Sequence, residues 1–365
     1  MNSNVVNIET RNMETQAGSV LYIDIIVDES DLKSGVISLL KKLRPHWKHT
    51  DIKLKFFTEG ITNMLIGCYT DESMEEVILV RVYGKKTELF VDRENEVRSF
   101  RILHSHSCGP ELYCTFQNGI CYEFVKGTVL DKWLVRQPTI YRLVAMEMAR
   151  IHSIKPENGY PIKPVLWKKL STYLSLINAS MIDSRVSEWF QTEVPSFDII
   201  ASEIEALKKQ LSQIKSPAVL CHNDLVCKNI IYNEAKGFVK FIDYEYAGCN
   251  YQAYDIGNHF NEFAGVNDVN YNLYPSQELQ RDWLATYLET YKQCNSMEPT
   301  VTDLEVNKLY VQVCKYALVS HFSWGLWALL QARYSTIDFD FLRYAVSRFN
   351  FYFKKKNEIL AMQFP

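Results

Sequence analysis

His222, Asp224, Asn229 and Asp243 stand in an order and at spacings that suit phosphoryl transfer from ATP. Moving a γ-phosphoryl group takes an oriented hydroxyl, a carboxylate to accept its proton, and divalent cations across the triphosphate oxygens. In the segment CHNDLVCKNIIYN, Asp224 lies in a short stretch between apolar runs at 218–221 and 230–232, and four residues separate it from Asn229. One side chain can meet the hydroxyl and the other a metal ion. Asp243 follows the strand-like run 238–242, so its carboxylate would project from a strand end, where oxygen donors suit Mg²⁺. Loop Asp and Asn residues more often make turns. The combination of H-x-D-x4-N with a later strand-end Asp raises this pattern above that background.

Protein kinases carry H-R-D-x4-N and D-F-G at these places. Here Asn223 takes the arginine position, and Tyr244 and Glu245 follow Asp243. Without the arginine, no cation beside Asp224 awaits a phosphorylated activation loop. Without Phe-Gly, the usual two-position switch has no obvious counterpart, so a constitutive small-molecule kinase fits better.

The elements that must position these residues can be read in chain order. Residues 20–27 have the pattern of a strand, and 31–43 that of a helix ending before Pro45; this leader could cap the fold or dimerise. Residues 56–67 form two apolar runs about a small polar turn, a candidate phosphate hairpin. Gly60 alone breaks that turn, so backbone N–H groups with Thr62 and Asn63 would cover the phosphates. Alternation over the strand 77–83 places Ile78, Val80 and Val82 on one face and Leu79, Arg81 and Tyr83 on the other. Arg81 sits where protein kinases place a lysine, and its rigid fork can contact triphosphate oxygens. Glu96, on a helix predicted over 93–104, is its expected ion-pair partner, against the alternative of two ordinary surface charges. The strand 119–125 runs into an interlobe hinge at 122–127, where adenine would bond to backbone groups of Glu123 and Val125. Beyond the hinge, helical apolar spacing recurs at 140–151 and 204–214. The chain is therefore expected to be α+β and bilobal, a small N-terminal lobe (1–125) carrying an antiparallel sheet and a larger, mainly helical C-terminal lobe (126–365).

Composition agrees. A chain of 365 residues that is 47% hydrophobic can bury a substantial core in two lobes. The formal charge of -3 offers no basic footprint for nucleic acid. Nine cysteines, none in a C-x-x-C pair, suggest reduced thiols in a cytoplasmic setting rather than disulfides or zinc. Residues 1–18 lack a signal-peptide pattern, and the apolar stretch 316–330 is interrupted by Ser320, His321 and Ser323, so a buried helix is expected and stable membrane insertion is not.

The CHNDLVCKN loop, the run FIDYEYAGCNYQAYDIGNHFNEFAG and the segment SHFSWGLWALLQARYSTIDFDF resemble the choline/ethanolamine kinase family. The stretches FFTEGITNMLIGCY, ELYCTFQNGICYEF and HNDLVCKNIIYN are most similar to its ethanolamine-specific members, and the resemblance runs from about residue 52 to the C-terminus. It implies a eukaryotic protein-kinase-like fold that uses ATP and Mg²⁺ to phosphorylate ethanolamine, the first step of phosphatidylethanolamine synthesis. Carried over by position, it makes Asp224 the general base, Asn229 and Asp243 the magnesium ligands, and Arg81 a nucleotide-phosphate contact. It assigns the amine pocket to Glu262, Trp324, Trp327 and Tyr344, with Tyr254 or Glu245 as additions. The chemistry concurs, because Trp324 and Trp327 lie three apart on a predicted helix and can hold a cationic amine on their π faces while Glu262 neutralises it. Aromatic residues at helical spacing are also common core. Asp255 and His259, four apart, are expected to be a buried structural pair.

Other readings stay open on the residues alone. Choline kinase differs only in substrate: a quaternary ammonium favours a fuller aromatic cage, and a primary one also needs hydrogen-bond acceptors. An aminoglycoside-type phosphotransferase would want several acidic residues for a polycation, and a non-catalytic kinase-fold scaffold would bind without releasing ADP.

Overall fold

The structure is a computed structural model that describes residues 20–57, 63–71, 75–84, 87, 91–155, 163–181, 193–335 and 337–365. Its contacts gather into two units: Met1–Phe56, Leu65–Val82 and Leu112–Glu123 in the smaller, and Phe57–Met64, Tyr83–Glu111 and Phe124–Pro365 in the larger. A single cut after residue 125 therefore does not describe the division. The stretch 83–111 joins the larger unit because its side chains dock there: Phe100 meets Tyr244 edge-on at 5.3 Å, and Asn95 Nδ2 donates to the Ala247 carbonyl.

The smaller unit is built on a mixed sheet of six strands, β1 (Leu21–Ile23), β2 (Lys53–Phe57), β3 (Asn63–Tyr69), β4 (Ile78–Tyr83), β5 (Leu112–Phe116) and β6 (Gly119–Glu123), in the order β1-β5-β6-β4-β3-β2. The β4–β6 and β5–β6 pairs are antiparallel, but β1 runs parallel to β5, so the sheet is not wholly antiparallel as expected. The strand expected over 20–27 is also shorter. Past Ile23 the ladder gives way to the Asn118 side chain, which accepts from the Val27 N–H (2.9 Å) and donates to the Val27 carbonyl (2.8 Å). Helix α1 (Leu32–Leu43) starts where Asp31 accepts from the Ser34 N–H, and it buries Val36, Leu39, Leu40 and Leu43, one face of an amphipathic helix.

In the larger unit, helix α2 (Arg93–Ser105) is followed by two small sheets that set the site. Strands β7 (Thr128–Val129), β9 (Ile230–Asn233) and β10 (Phe238–Phe241) form one, in the order β10-β9-β7, and β8 (Ala218–Cys221) pairs antiparallel with β11 (Gly248–Tyr251) in the other. Register does the positioning. Cys221 opposite Gly248 brings the segment leaving β8 beside the segment entering β11, and Phe241 opposite Ile230 brings Asn229 beside Ile242. The stretches 222–229 and 242–247 are therefore neighbours before any side chain is considered.

Helices α3 (Pro138–His152), α4 (Leu166–Met181), α5 (Phe197–Leu211), α6 (Gln252–Glu262), α7 (Gln277–Cys294), α8 (Asp303–Tyr334) and α9 (Phe341–Leu360) complete the described part of this unit. The stretch 316–330 lies inside α8, buried as expected; no described helix is long and apolar enough to cross a membrane. Thr302 and Glu305 close a reciprocal capping box at its start. Every residue of α6 is buried, with Gly257 against the α8 backbone: a Cβ there would come within 2.8 Å of the Val313 carbonyl oxygen and the Ala317 nitrogen. Backbone cannot yield as a flexible side chain does, so Gly257→Ala is expected to cost about 1–3 kcal/mol. Thermal unfolding of the variant checks this, and an unchanged melting temperature would contradict so close a helix approach.

Candidate active site

Two residues at the site hold the left-handed backbone conformation that non-glycine residues seldom adopt, Asn223 and Asp243, both at φ 65°. Asn and Asp tolerate it best, and Asn223 is held there by several hydrogen bonds. The Asp255 carboxylate, from the first turn of α6, accepts the backbone N–H of His222 (2.8 Å) and of Asn223 (2.7 Å), and His152 Nε2 donates to it at 3.0 Å. Burial works to raise the Asp255 pKa, but these donors more than offset it and leave it below the ordinary carboxylate value. Asn223 Nδ2 donates to the Tyr246 carbonyl (2.9 Å), and its Oδ1 accepts from Asn250 Nδ2 (2.7 Å).

His222 ties the two functional segments together. Its Nε2 lies 2.9 Å from the Ile242 carbonyl, which can only accept, so the proton is on Nε2 and Nδ1 accepts from the Asp224 N–H (3.3 Å). Burial lowers the His222 pKa, consistent with a neutral ring. Asn229 Nδ2 donates to the Asp224 carbonyl at 2.9 Å, so its Oδ1 is not used in that bond. Asp224, Asn229 and Asp243 are thus drawn into one place. Burial pushes the Asp224 carboxyl well above the usual range; the charges of Asp243, Glu262 and Glu245 push the same way, and Lys169 pulls against them.

The acids beside Asp224 are differently partnered. Glu262 pairs with the buried guanidinium of Arg348 through Oε1, while its Oε2 has no hydrogen-bond partner among the described residues. Arg348 also donates to the Tyr344 hydroxyl (2.9 Å from Nε) and to His321 Nδ1 (3.2 Å). Glu262 thus already carries a counter-charge within the fold, Arg348. Glu245 Oε2 accepts from Asn63 Nδ2 (2.9 Å) and Arg93 Nη1 (3.2 Å), and Arg93 reaches on to Glu96 (3.0 Å), Thr87 (2.7 Å) and the Asn63 side-chain oxygen (3.3 Å).

Trp324 and Trp327 meet edge-to-face, with centroids 5.2 Å apart. Trp324 Nε1 donates to Asn258 Oδ1 (2.7 Å), Trp327 Nε1 donates to the Tyr246 hydroxyl (2.9 Å), and the Tyr246 ring meets Trp324 edge-on at 5.6 Å. Both indoles are oriented by hydrogen bonds rather than by packing alone.

Other sequence expectations fall differently. Glu96 is fully buried, so the alternative of a surface charge does not hold, and it forms an ion pair with Arg93. Arg81 is 3% exposed on β4 in the smaller unit, its guanidinium 5.7 Å from the Tyr122 ring centroid. Glu123 ends β6, and Val125 is the second residue of the stretch of the larger unit that begins at Phe124. Thr62 lies outside the described residues. Asp255 and His259 do not pair. One helical turn apart on a fully buried helix, they find different neighbours, His259 Nδ1 donating to the Leu225 carbonyl at 3.0 Å. Sequence reasoning missed Arg93, Lys169, Tyr246 and Arg348; Tyr246 lies three residues after Asp243 in a run already singled out, and the other three lie outside the quoted motifs. His152, Cys221 and Asp255 cluster closely enough to suggest a metal, but His152 Nε2 is spent on Asp255.

Residues 54–353 match the model of the choline/ethanolamine kinase family. The chain is 55% identical over 338 residues to ethanolamine kinase 1 of Mus musculus, an alignment covering 93% of each protein. Among solved structures it is similar to a Plasmodium vivax ethanolamine kinase, with TM-score 0.78 and 29% identity over 89% of each chain. It is also similar to a choline kinase from Cryptosporidium parvum, with TM-score 0.74 and 25% identity over 89% of this chain and 95% of that one.

Removing one partner of a buried ion pair leaves the other charge uncompensated, whereas removing both need not. Arg348→Met is expected to cost about 3–5 kcal/mol in urea unfolding. Glu262→Gln in the same chain should restore much of that loss, and a double variant as unstable as Arg348→Met would show that the charge of Glu262 is not the cause.

Proposed function

Because the chain belongs to the choline/ethanolamine kinase family, we infer that it transfers the γ-phosphoryl group of ATP to the hydroxyl of ethanolamine, giving phosphoethanolamine and ADP, the first step of the CDP-ethanolamine route to phosphatidylethanolamine. The observation that carries the chemistry is the convergence of Asp224, Asn229 and Asp243, two of them on segments that His222 ties together. The nine free cysteines suit a reducing cytoplasm.

Asp224 is assigned as general base. It takes the hydroxyl proton as the oxygen attacks the γ-phosphorus, so its charge matters most in the transition state. A carboxylate pushed up by burial and by three acidic neighbours is a stronger base than a surface aspartate, provided that added positive charge keeps it ionised. Asn229 Oδ1 and the Asp243 carboxylate are hard oxygen donors beside that crowded negative charge, and the set fits Mg²⁺. Bound there, Mg²⁺ would neutralise triphosphate oxygens.

Contacts to the nucleotide are assigned to Arg81, Thr62, Asn63 and the backbone of Glu123 and Val125. Glu96 acts by holding Arg93, which orients Asn63 and Glu245. The amine end is assigned to Glu262, Trp324, Trp327 and Tyr344. Glu262 keeps one oxygen on Arg348 and offers the other, and Tyr344 acts through Arg348.

The test is ADP release by the purified chain with ATP and Mg²⁺, comparing kcat/KM for ethanolamine and choline. Preference for ethanolamine is expected, while preference for choline would move the assignment to the other branch of the family. Asp224→Asn should lower kcat about 10²–10⁴-fold with the KM for ATP little changed. Retention of most turnover would remove Asp224 as the base. Asp243→Ala should raise the Mg²⁺ concentration needed for half-maximal rate, and an unchanged titration would take it out of the metal site.

A further inference from the structure

Lys169, on α4, is used by none of the assignments above. Its ammonium lies 4.1 Å from the centroid of the Tyr246 ring and 5.6 Å from that of Tyr173, and among the described residues it makes no hydrogen bond. A partly buried ammonium with three donors uncommitted is unusual, because desolvation is normally met by hydrogen bonds. Burial pulls its pKa down to about 8 while the charges of Asp224 and Glu245 push it back up, so both carboxylates stand close enough to act on it.

The ring beneath it is the relevant platform. Tyr246 accepts the Trp327 N–H through its hydroxyl, meets Trp324 edge-on, and lends its backbone carbonyl to Asn223 in the loop that carries Asp224. Tyr246 thus joins the tryptophan corner to the catalytic loop, and its phenol stays neutral because burial raises its pKa. In a 2-amino alcohol only two carbons separate hydroxyl from nitrogen. A substrate whose hydroxyl meets Asp224 keeps its charged nitrogen within a few bonds of that carboxylate, on whose charge Lys169 also acts.

We propose that Lys169 is a specificity-determining residue of the amine end, holding the π face of Tyr246 so that a primary ammonium is accepted and a trimethylammonium is rejected. A primary ammonium has three N–H donors and can bond to carboxylate oxygens such as those of Glu245 and Glu262 beside a resident lysine. A quaternary ammonium has none and relies on aromatic faces, of which this one is taken by another cation. Discrimination thus comes from a resident cation whose repulsion a primary ammonium can offset with N–H hydrogen bonds and a quaternary one cannot.

The inference rests on the phosphotransfer reading above. Steady-state kcat/KM for ethanolamine and for choline should be measured on the wild-type chain and on Lys169→Met, Lys169→Gln and Lys169→Arg, with melting temperature and the KM for ATP recorded for each. Lys169→Met, which keeps length and removes charge, is expected to raise the choline-to-ethanolamine ratio about tenfold or more, chiefly through KM for choline. Lys169→Gln should move it the same way should the Met variant fold poorly, and Lys169→Arg should stay near the wild-type ratio. Wild-type turnover of ethanolamine with unchanged ratios in both neutral variants would overturn this inference alone. A wild-type chain inert toward both amines would overturn it together with the phosphotransfer reading.

Discussion

The carboxylate of Asp255 is the point on which the site is built. It is 1% exposed, and a buried charge is tolerated only when its oxygens are filled by donors. The donors it takes are the N–H groups of His222 and Asn223, the two residues immediately before Asp224, together with the His152 ring. This lets Asn223 persist in a left-handed conformation that would otherwise relax. The direction of Asp224, the bond from Asn229 to its carbonyl, and the reach of His222 to Ile242 all follow from that anchored turn.

Several acids gather around Asp224, and those whose partners are described are answered differently. Arg348 satisfies one oxygen of Glu262, Arg93 shares itself between Glu96 and Glu245, and Lys169 acts on Asp224 and Glu245 without bonding to either. Such a cluster is stable only because some of its charge is answered within the fold, and Glu262 keeps one oxygen without a hydrogen-bond partner among the described residues. The hydrogen-bonded rings of Tyr246, Trp324 and Trp327 border the cluster with low-dielectric surface, where remaining charge acts more strongly than in water.

Much of this was legible in the chain. Asp224, Asn229 and Asp243 could be picked out because their chemistry depends on short loops between apolar strands, and both loop and strand are local patterns. Trp324 and Trp327 share a helix face by spacing alone. The same logic failed for Asp255 and His259, since on a helix buried all round each position meets a different neighbour and spacing no longer implies a partner. Glu96 is buried, as an ion-pair partner would be, and Arg93 one turn away helps make that burial tolerable, a partner that the sequence did not single out. The strand at 20–27 shortened because a side-chain amide from Asn118 imitates a strand partner, which no periodicity reveals.

The sequence by itself determined the α+β character, the order of the elements and the kinds of group delivered to the site, because these depend on interactions between residues a few positions apart. Only the tertiary structure decided which acid is partnered and which keeps a free oxygen, which ring carries a lysine, and how far the pKa of Asp224 is raised. Desolvation and ion pairing act through space, and here they join residues such as His152 to Asp255 and Glu262 to Arg348, far apart in the chain. No local pattern encodes those distances, so they exist only once the helices and sheets have packed.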